Sequence, residues 1–415
     1  MDKLFTKYFK KHPQHHSLYK ESDIKVVVPV YLEEDDLFDM LKSLKEASRQ
    51  TSDTIEVILV FNYAETATED IIKRQMALWE LTEQRLAVLQ TPNFEITLLK
   101  DFNVARKHAG VGHARKAGMD YAAFSFSKVN NIKGIITSID ADCVVEENYF
   151  SAITSYFKRD NVEGCNIYFE HPLEGEFSDA IYTAIAEYEL HLRYYAQALR
   201  FANFPFAFHT VGSCFAVSAE AYLKAGGMPR KQAGEDFYFL QKVIPGGKFV
   251  EINETTVKPS SRPSDRVPFG TGPSINALVS DGGEYQTYNL QAFVDLRAFF
   301  EVKDQLYCVT ESEIEDFTHQ LSGRMRSYLV NSDFFIALKP IKDNCSSLEV
   351  FKRRFFEVFN AFRVVKYLNY VHAHFLEKTP VFDASVHLYE LQYNETLDVF
   401  ETKELLDIYR KLEKA

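Results

Sequence analysis

Two short acidic pairs carry the chemistry that this sequence can do. Asp140 and Asp142 flank a single alanine, directly after the apolar run Ile132–Ile139. Residues at i and i+2 of an extended stretch point to one side, so both carboxylates are expected to face one ligand. Hard oxygen donors of this kind suit Mg²⁺ or Mn²⁺, which bind through one or two carboxylates and complete their shell with substrate phosphates. Glu235 and Asp236 form the second pair, after Gly234 and before the apolar-periodic run FYFLQKV. That places them in the first turn of a helix, where the dipole favours negative charge. A carboxylate there can also accept a proton from an attacking hydroxyl, as a general base does.

The surrounding pattern says how such groups would be held. Ile24–Tyr31 (IKVVVPVY), Ile55–Phe61, Phe94–Leu99 and Ile132–Ile139 read as buried strands. Between them lie a helix beginning at the acidic EEDD run, a long helix through Trp79, and a helix over 110–126 opened by glycines. Strands alternating with helices predict an α/β fold, with a mostly parallel central sheet and helices on both faces. The Asp140/Asp142 pair then falls at the carboxyl end of a central strand, where open α/β sheets bind ligands. Further on, 163–169 reads as a strand, 178–201 as a long amphipathic helix and 206–217 as strand-like. The stretch 258–273 holds four prolines and reads as a loop. After about residue 285 the chain is helix-like and poor in glycine, so the boundary is placed near 275–285.

Composition excludes several classes. The 415 residues are 46% apolar and 26% charged with net charge −12, an ordinary globular balance that argues against nucleic acid as partner. No apolar run reaches the ~18 residues that span a bilayer. The opening MDKLFTKYFKKHPQHH lacks the apolar region of a secretory signal. Five scattered cysteines without a CxxC pair suggest neither a disulfide framework nor a zinc site, and fit a reducing, cytoplasmic setting. Residues 1–21 are basic, with Leu4, Phe5, Tyr8 and Phe9 at helical spacing among lysines. A helix packed on the body of the protein is expected there; peripheral contact with the inner face of a membrane is the alternative. The phenylalanines after 285 (Phe299, Phe300, Phe334, Phe335, Phe355, Phe356, Phe359, Phe362) read as a helical core, with a carbohydrate-stacking platform as the alternative.

Four blocks in order, VVVPVYLEED, ARKHAGVGHARKAG, SIDADC and VGSCFAVSAEAYLKAGGMPRKQAGEDFYFL, resemble the family-2 glycosyltransferases of the GT-A fold. The resemblance spans roughly residues 22–255 and leaves the C-terminal third outside it. It implies a GT-A, Rossmann-like domain over 22–275; the helix-like pattern beyond it reads as a helical region over 280–415, for which dimerisation and acceptor choice are the alternatives the sequence leaves open. The resemblance also implies transfer of a sugar from a nucleotide diphosphate, UDP-linked first and GDP-linked second, to a glycan or lipid-linked acceptor, with inversion. By the same resemblance Pro29, Tyr31, Glu33 and Asn62 hold the nucleoside; Asn62 stands where an aspartate is usual. Lys107 and Arg115 add charge near the diphosphate, with Lys116 beside them. Asp140 meets the ribose side of the donor, and Asp142, with Asp140, holds Mg²⁺ or Mn²⁺. Asp236 is the base and Glu235 orients the site. His209 borders the acceptor, and Arg262 and Arg266 lie on a loop that closes over phosphate.

The nearest enzymatic rival is a retaining transferase, and the rival of a different class is a scaffold. A retaining GT-A enzyme shares the Asp140/Asp142 pair but needs no base at Asp236. A non-catalytic scaffold of the same shape needs neither pair. A nucleotidylyltransferase is disfavoured because no glycine-rich loop follows the first strand.

Overall fold

The computed structural model of the chain describes residues 2–14, 16, 19–231, 233–264 and 270–415, and of Asp160 the backbone alone. Its contacts divide into two units: 1–185 with 208–277 and 414, and 186–207 with 278–413 and 415.

The first unit begins with α1 (Lys3–Lys11), β1 (Ile24–Val30), α2 (Leu37–Ser48), β2 (Ile55–Ala64), α3 (Glu69–Leu89), β3 (Phe94–Val104) and α4 (Val111–Lys128). It continues with β4 (Ile135–Ser138), β5 (Cys143–Val145), α5 (Tyr149–Asp160), β6 (Gly164–Phe169) and the start of α6 (Asp179–Phe201). It closes with β7 (Phe215–Ser218), α7 (Ala219–Lys224), α8 (Glu235–Val243), β8 (Phe249–Pro259) and α9 (Thr271–Asp281). The eight strands form one sheet in the order β3-β2-β1-β4-β7-β6-β8-β5. The pairs β3/β2, β2/β1, β1/β4 and β6/β8 are parallel, while β7 and β5 run the other way. The sheet is therefore mostly parallel, as the alternating pattern predicts.

The order explains where a ligand can sit. The steps β1→α2→β2 and β2→α3→β3 walk outward along the sheet, and β3→α4→β4 steps back past β1. Right-handed crossovers put α2 and α3 on one face and α4 on the other. The direction reverses between β1 and β4, and the crevice at such a switch is the usual ligand site. β1 is buried almost throughout, as a strand covered on both faces must be. Lys25 on β1 is fully buried and ion-paired to Glu56, its register partner on β2. Burial lowers the Lys25 pKa and Glu56 opposes that.

Helix α1 packs on α4 and α7. Phe5 is 0% exposed, and the Tyr8 hydroxyl donates to buried Asp120 at 2.6 Å. The apolar face of this helix is thus used inside the unit, leaving lysines outward. No helix among the described residues is long and apolar enough to cross a membrane. All five cysteines are free thiols.

The second unit holds the rest of α6, then α10 (Leu290–Val302), α11 (Ile314–His319), α12 (Gly323–Asn331) and α13 (Phe334–Asp343). α14 (Leu348–Val358), α15 (Ala361–His374), α16 (Val381–Tyr393) and α17 (Thr402–Lys414) complete it. A two-residue pairing joins β9 (Gln286–Thr287) to β10 (Thr379–Pro380). Its core is aromatic: Phe299, Phe334, Phe355 and Phe359 are all 0% exposed and touch one another at ring-centroid distances of 5.3–6.2 Å. None of the eight phenylalanines singled out from sequence is exposed, so they serve packing rather than a stacking platform. Arg193 and Arg410 both pair with buried Glu189, and Arg193 also meets Glu413, tying α17 to α6.

Sequence and structure differ at several places. The expected strand over 206–217 is ordered as a strand only from Phe215, and β8 and β5 were not expected at all. β5 has three residues and β8 mixes charge with apolar positions, so neither shows a strand period.

The glycine-opened helix α4 sits close on the sheet. A Cβ at Gly118 would lie 2.4 Å from Val27 Cγ1 and 2.9 Å from Val60 Cγ2. Gly118→Ala therefore forces β1 and β2 apart from α4. It should lower stability by about 1–3 kcal/mol, read as the shift of a urea unfolding midpoint at unchanged slope.

Candidate active site

The crevice between β1 and β4 is floored by a buried arginine. Arg115 lies one turn into α4, and its side chain is 3% exposed. Its Nε donates to Ser138 Oγ at 2.9 Å and its Nη2 to Asp140 Oδ1 at 2.6 Å, while Nη1 is ion-paired with Glu235. One guanidinium thus joins the end of β4 to the first turn of α8. The nearby acids, Asp140, Glu235 and Asp236, raise its pKa against the opposing effect of burial. Gly212, in the VGSC stretch before β7, completes the seat. A Cβ there would meet the guanidinium at 2.9–3.0 Å.

Asp140 and Asp142 are not in extended chain. The amide of Cys143 donates to the Asp140 carbonyl at 3.1 Å, which closes a turn between β4 and β5. This corrects the expectation that both carboxylates share one side by strand alternation. The turn sends Asp140 to Arg115 and Asp142 to a second arginine, Arg262. Arg262 Nη2 lies 3.2 Å from Asp142 Oδ2 and 2.8 Å from Glu33 Oε2, and Nη1 is 3.6 Å from Asp36 Oδ2. Burial pushes the Asp142 carboxyl up, and Asp140 adds to the push while Arg262 opposes it.

Asp236 follows Glu235 at the start of α8. Burial, then the charge of Glu235, push its pKa from 3.8 up to about 6, with Arg115 opposing. Its Oδ1 accepts from the Phe237 amide at 2.7 Å. Glu235 is 2% exposed.

The remaining expected residues fall around this cluster. Pro29 is half-buried near the end of β1 and Tyr31 lies in the bend beyond it. Gln75 braces that bend: its amide donates to the Val30 carbonyl at 2.6 Å and accepts from the Leu32 amide at 2.9 Å. Asn62 is buried at the end of β2 and donates to the Gly110 carbonyl at 3.4 Å. Lys107 is exposed in the turn before α4. Lys116 faces away from the crevice, 3.0 Å from Asp120. His209 is buried edge-on to Phe169. Arg266 lies outside the described residues. Arg115 enters the site as the cation between two acids, with donors already held, rather than as an open phosphate ligand.

Gly112 meets protein: a Cβ there would lie 2.2 Å from the Lys231 carbonyl oxygen and 3.0 Å from Glu235 Cβ. Sequence reasoning missed Asp36, which reads as an ordinary first-turn acid. It also missed Asp101 and His113, whose Oδ2 and Nε2 are 2.9 Å apart. Asp101 is the register partner of Asn62, on a part of β3 beyond the expected strand end at Leu99.

The donor set can be tested for a divalent cation. Among the described residues no group of three or more His, Cys, Asp or Glu side chains forms a cation cage. Asp140 and Asp142 lie near enough for the charge of Asp140 to add to the burial that raises Asp142, but each carboxylate is paired with an arginine, Arg115 and Arg262 respectively.

Removing the central cation should be costly. Arg115→Met leaves Glu235 buried without a partner and should cost about 3–5 kcal/mol in chemical unfolding. The double variant Arg115→Met/Glu235→Leu should recover much of that loss, because Glu235 is then no longer left as a buried, unpaired charge.

Residues 25–225 match the model of glycosyl transferase family 2. No curated protein matches the sequence. Among solved structures, S. aureus TarS 1–349 in complex with UDP-GlcNAc is 11% identical, with 81% of this chain and 91% of that chain covered and a TM-score of 0.39. Glucosyl-3-phosphoglycerate synthase from Mycobacterium tuberculosis, in complex with Mn²⁺, UDP and glucosyl-3-phosphoglycerate, is 14% identical over 68% of this chain and 86% of that chain, with a TM-score of 0.32.

Proposed function

We propose, from the premise that residues 25–225 of this chain are a family-2 glycosyltransferase domain of GT-A type, that the enzyme is an inverting transferase. Its donor is a nucleotide diphosphate sugar, UDP-linked before GDP-linked, and its acceptor is a hydroxyl of a glycan or lipid-linked glycan. The observation that supports this reading is the acid pair that begins α8: Glu235 is ion-paired with buried Arg115, and Asp236 beside it is pushed up to about 6 by burial and by Glu235. A base poised near neutral pH is effective at taking a proton in the transition state.

In this reading the acceptor oxygen attacks the anomeric carbon while its proton passes to Asp236. The bond from the anomeric carbon to the diphosphate oxygen breaks, and the nucleoside diphosphate leaves. A single in-line displacement inverts the configuration, which separates it from a retaining enzyme. Glu235, fixed by Arg115, holds α8 so that Asp236 points at the acceptor. Asn62, with Asp101 beside it in register, offers polar groups to the base edge. Glu33 and Asp36 hold Arg262 beside Asp142, and in this reading that arginine meets phosphate. Asp142, with Asp140, would hold Mg²⁺ or Mn²⁺, which when bound supplies positive charge to the departing diphosphate. The five free thiols support a reducing, cytoplasmic setting.

Asp236→Asn should lower kcat by about 10²–10⁴-fold while UDP binding, followed calorimetrically, is retained. The base works only when ionised. The wild-type rate should therefore climb as pH rises through about 6 and level off above it. A pH-independent rate in that range, or a product of retained configuration, would remove Asp236 from this role. UDP-sugar with Mn²⁺ should raise the thermal midpoint of the wild type. The rise should vanish in EDTA and in Asp142→Ala; a rise that survives both shows the cation to be dispensable.

A further inference from the structure

A second cavity lies in the first unit and shares no residue with the crevice. Its volume is ≈ 560 Å³, within the range of small-molecule sites. One wall is the end of α1 and the residues after it, including Lys11 and His12. The floor is Lys116 and Asp120 of α4. The other wall is the 226–230 loop with Arg230, and Lys242 from the last turn of α8.

Charge in this cavity is one-sided. Asp120 is its single acid, and it is already satisfied. It accepts from the hydroxyls of Tyr8 and Tyr222, each at 2.6 Å, and pairs with Lys116 at 3.0 Å. Lys11, Arg230 and Lys242 are exposed on the rim, and none forms an ion pair with a described residue. Their fields converge. The His12 ring is lowered first by burial and then by Lys116, Arg230 and Lys11, with Asp120 opposing. In a chain of net charge −12, three unpaired cations around one concave site mark a place of positive potential.

The shape is also fixed by the fold. Gly226 and Gly227 hold φ of +80° and +77°, and a Cβ at Gly227 would lie 2.0 Å from the Tyr8 hydroxyl. The loop can therefore close against α1 only with glycine there. The cavity wall is built into the packing of α1 and is not a chance dip between side chains.

We propose that this cavity binds a phosphate-bearing anion at a site separate from the donor crevice. The ligand class is a compact phosphorylated molecule or the phosphate of an acidic lipid headgroup; both present the same group to Lys11, Arg230 and Lys242. Because Lys242 stands on the helix whose first turn bears Glu235 and Asp236, an occupant also touches the element that carries the acid pair.

The test uses the full chain in metal-free buffer, where the donor crevice lacks its cation, with inorganic pyrophosphate as probe. The wild type should show a pyrophosphate-dependent rise in thermal midpoint that weakens as salt is added. Arg230→Ala/Lys242→Ala should keep the midpoint of the free protein, since both side chains are exposed, and weaken binding by about tenfold or more. Lys11→Ala, on the opposite wall, should weaken it independently. A second arm mixes the protein with vesicles of phosphatidylglycerol or of phosphatidylcholine. Sedimentation with the acidic vesicles alone, lost in the same variants, assigns the phosphate to a lipid; pyrophosphate binding without sedimentation assigns it to a soluble ligand. A wild type that binds neither, or binding that persists in the variants, overturns the proposal.

Discussion

The site depends on one buried cation. Arg115 is held inside the domain because Ser138, Asp140 and Glu235 take its donors from three directions. A guanidinium in that position is tolerable only while those partners stay in place, since an unpaired buried charge costs several kcal/mol. The constraint runs both ways. The end of β4 and the start of α8 come from parts of the chain about a hundred residues apart, and each is positioned by the arginine that the other helps to hold. Gly212 leaves room for that guanidinium, and Gly112 lets the neighbouring turn of α4 press on Lys231 and Glu235. The small residues of these stretches exist to seat Arg115 and its partners.

Around that clamp, carboxylates outnumber cations. Glu33, Asp36, Asp140, Asp142, Glu235 and Asp236 share Arg115 and Arg262. Asp142 and Asp236 rise, first because each is buried and then because a like charge lies beside it. These are the two acids for which chemistry is proposed, Asp142 toward the donor and Asp236 toward the acceptor. Structural ion pairs elsewhere behave differently. Asp53, held by Lys158 and threonine hydroxyls, moves down despite burial. Upward perturbation in a crevice at the sheet's switch point is the feature on which the proposed roles of these two acids rest.

Much of this was legible in the sequence, for physical reasons. β1, β2 and β4 are buried on both faces and so appear as nearly continuous apolar runs, which places the carboxyl ends of β1 and β4 beside residues 29–33 and 140–142. Asp236 stood out because an acid pair after glycine and before an apolar helix is a compact local signal. What stayed hidden is what depends on distant partners. No local pattern tells that Arg115 will turn inward to Glu235, or that Asp36 will share Arg262 with Asp142. The turn at Cys143 converts an apparent strand-end pair into two carboxylates with separate partners. β5 and the polar end of β3 escaped notice because short or half-exposed strands carry no clear period. The aromatic run after 285 could be read as core, but which rings meet is settled only by packing.

Helix α8 shows which force governs the acid pair. A helix N-terminus favours negative charge by about 0.3–1 kcal/mol at an exposed end, and Glu235 and Asp236 sit where that help is available. On the dipole alone Asp236 would ionise more readily than a free aspartate. It moves instead from 3.8 up to about 6, and a change of that size outweighs the dipole at about 1.4 kcal/mol per pH unit. Burial and the adjacent Glu235 charge therefore dominate. The neighbouring acid is itself fixed by Arg115, so the arginine both draws the carboxylates together and, by holding Glu235 in place, keeps a like charge next to Asp236. That arrangement suits the role proposed for Asp236, a base that takes a proton near neutral pH.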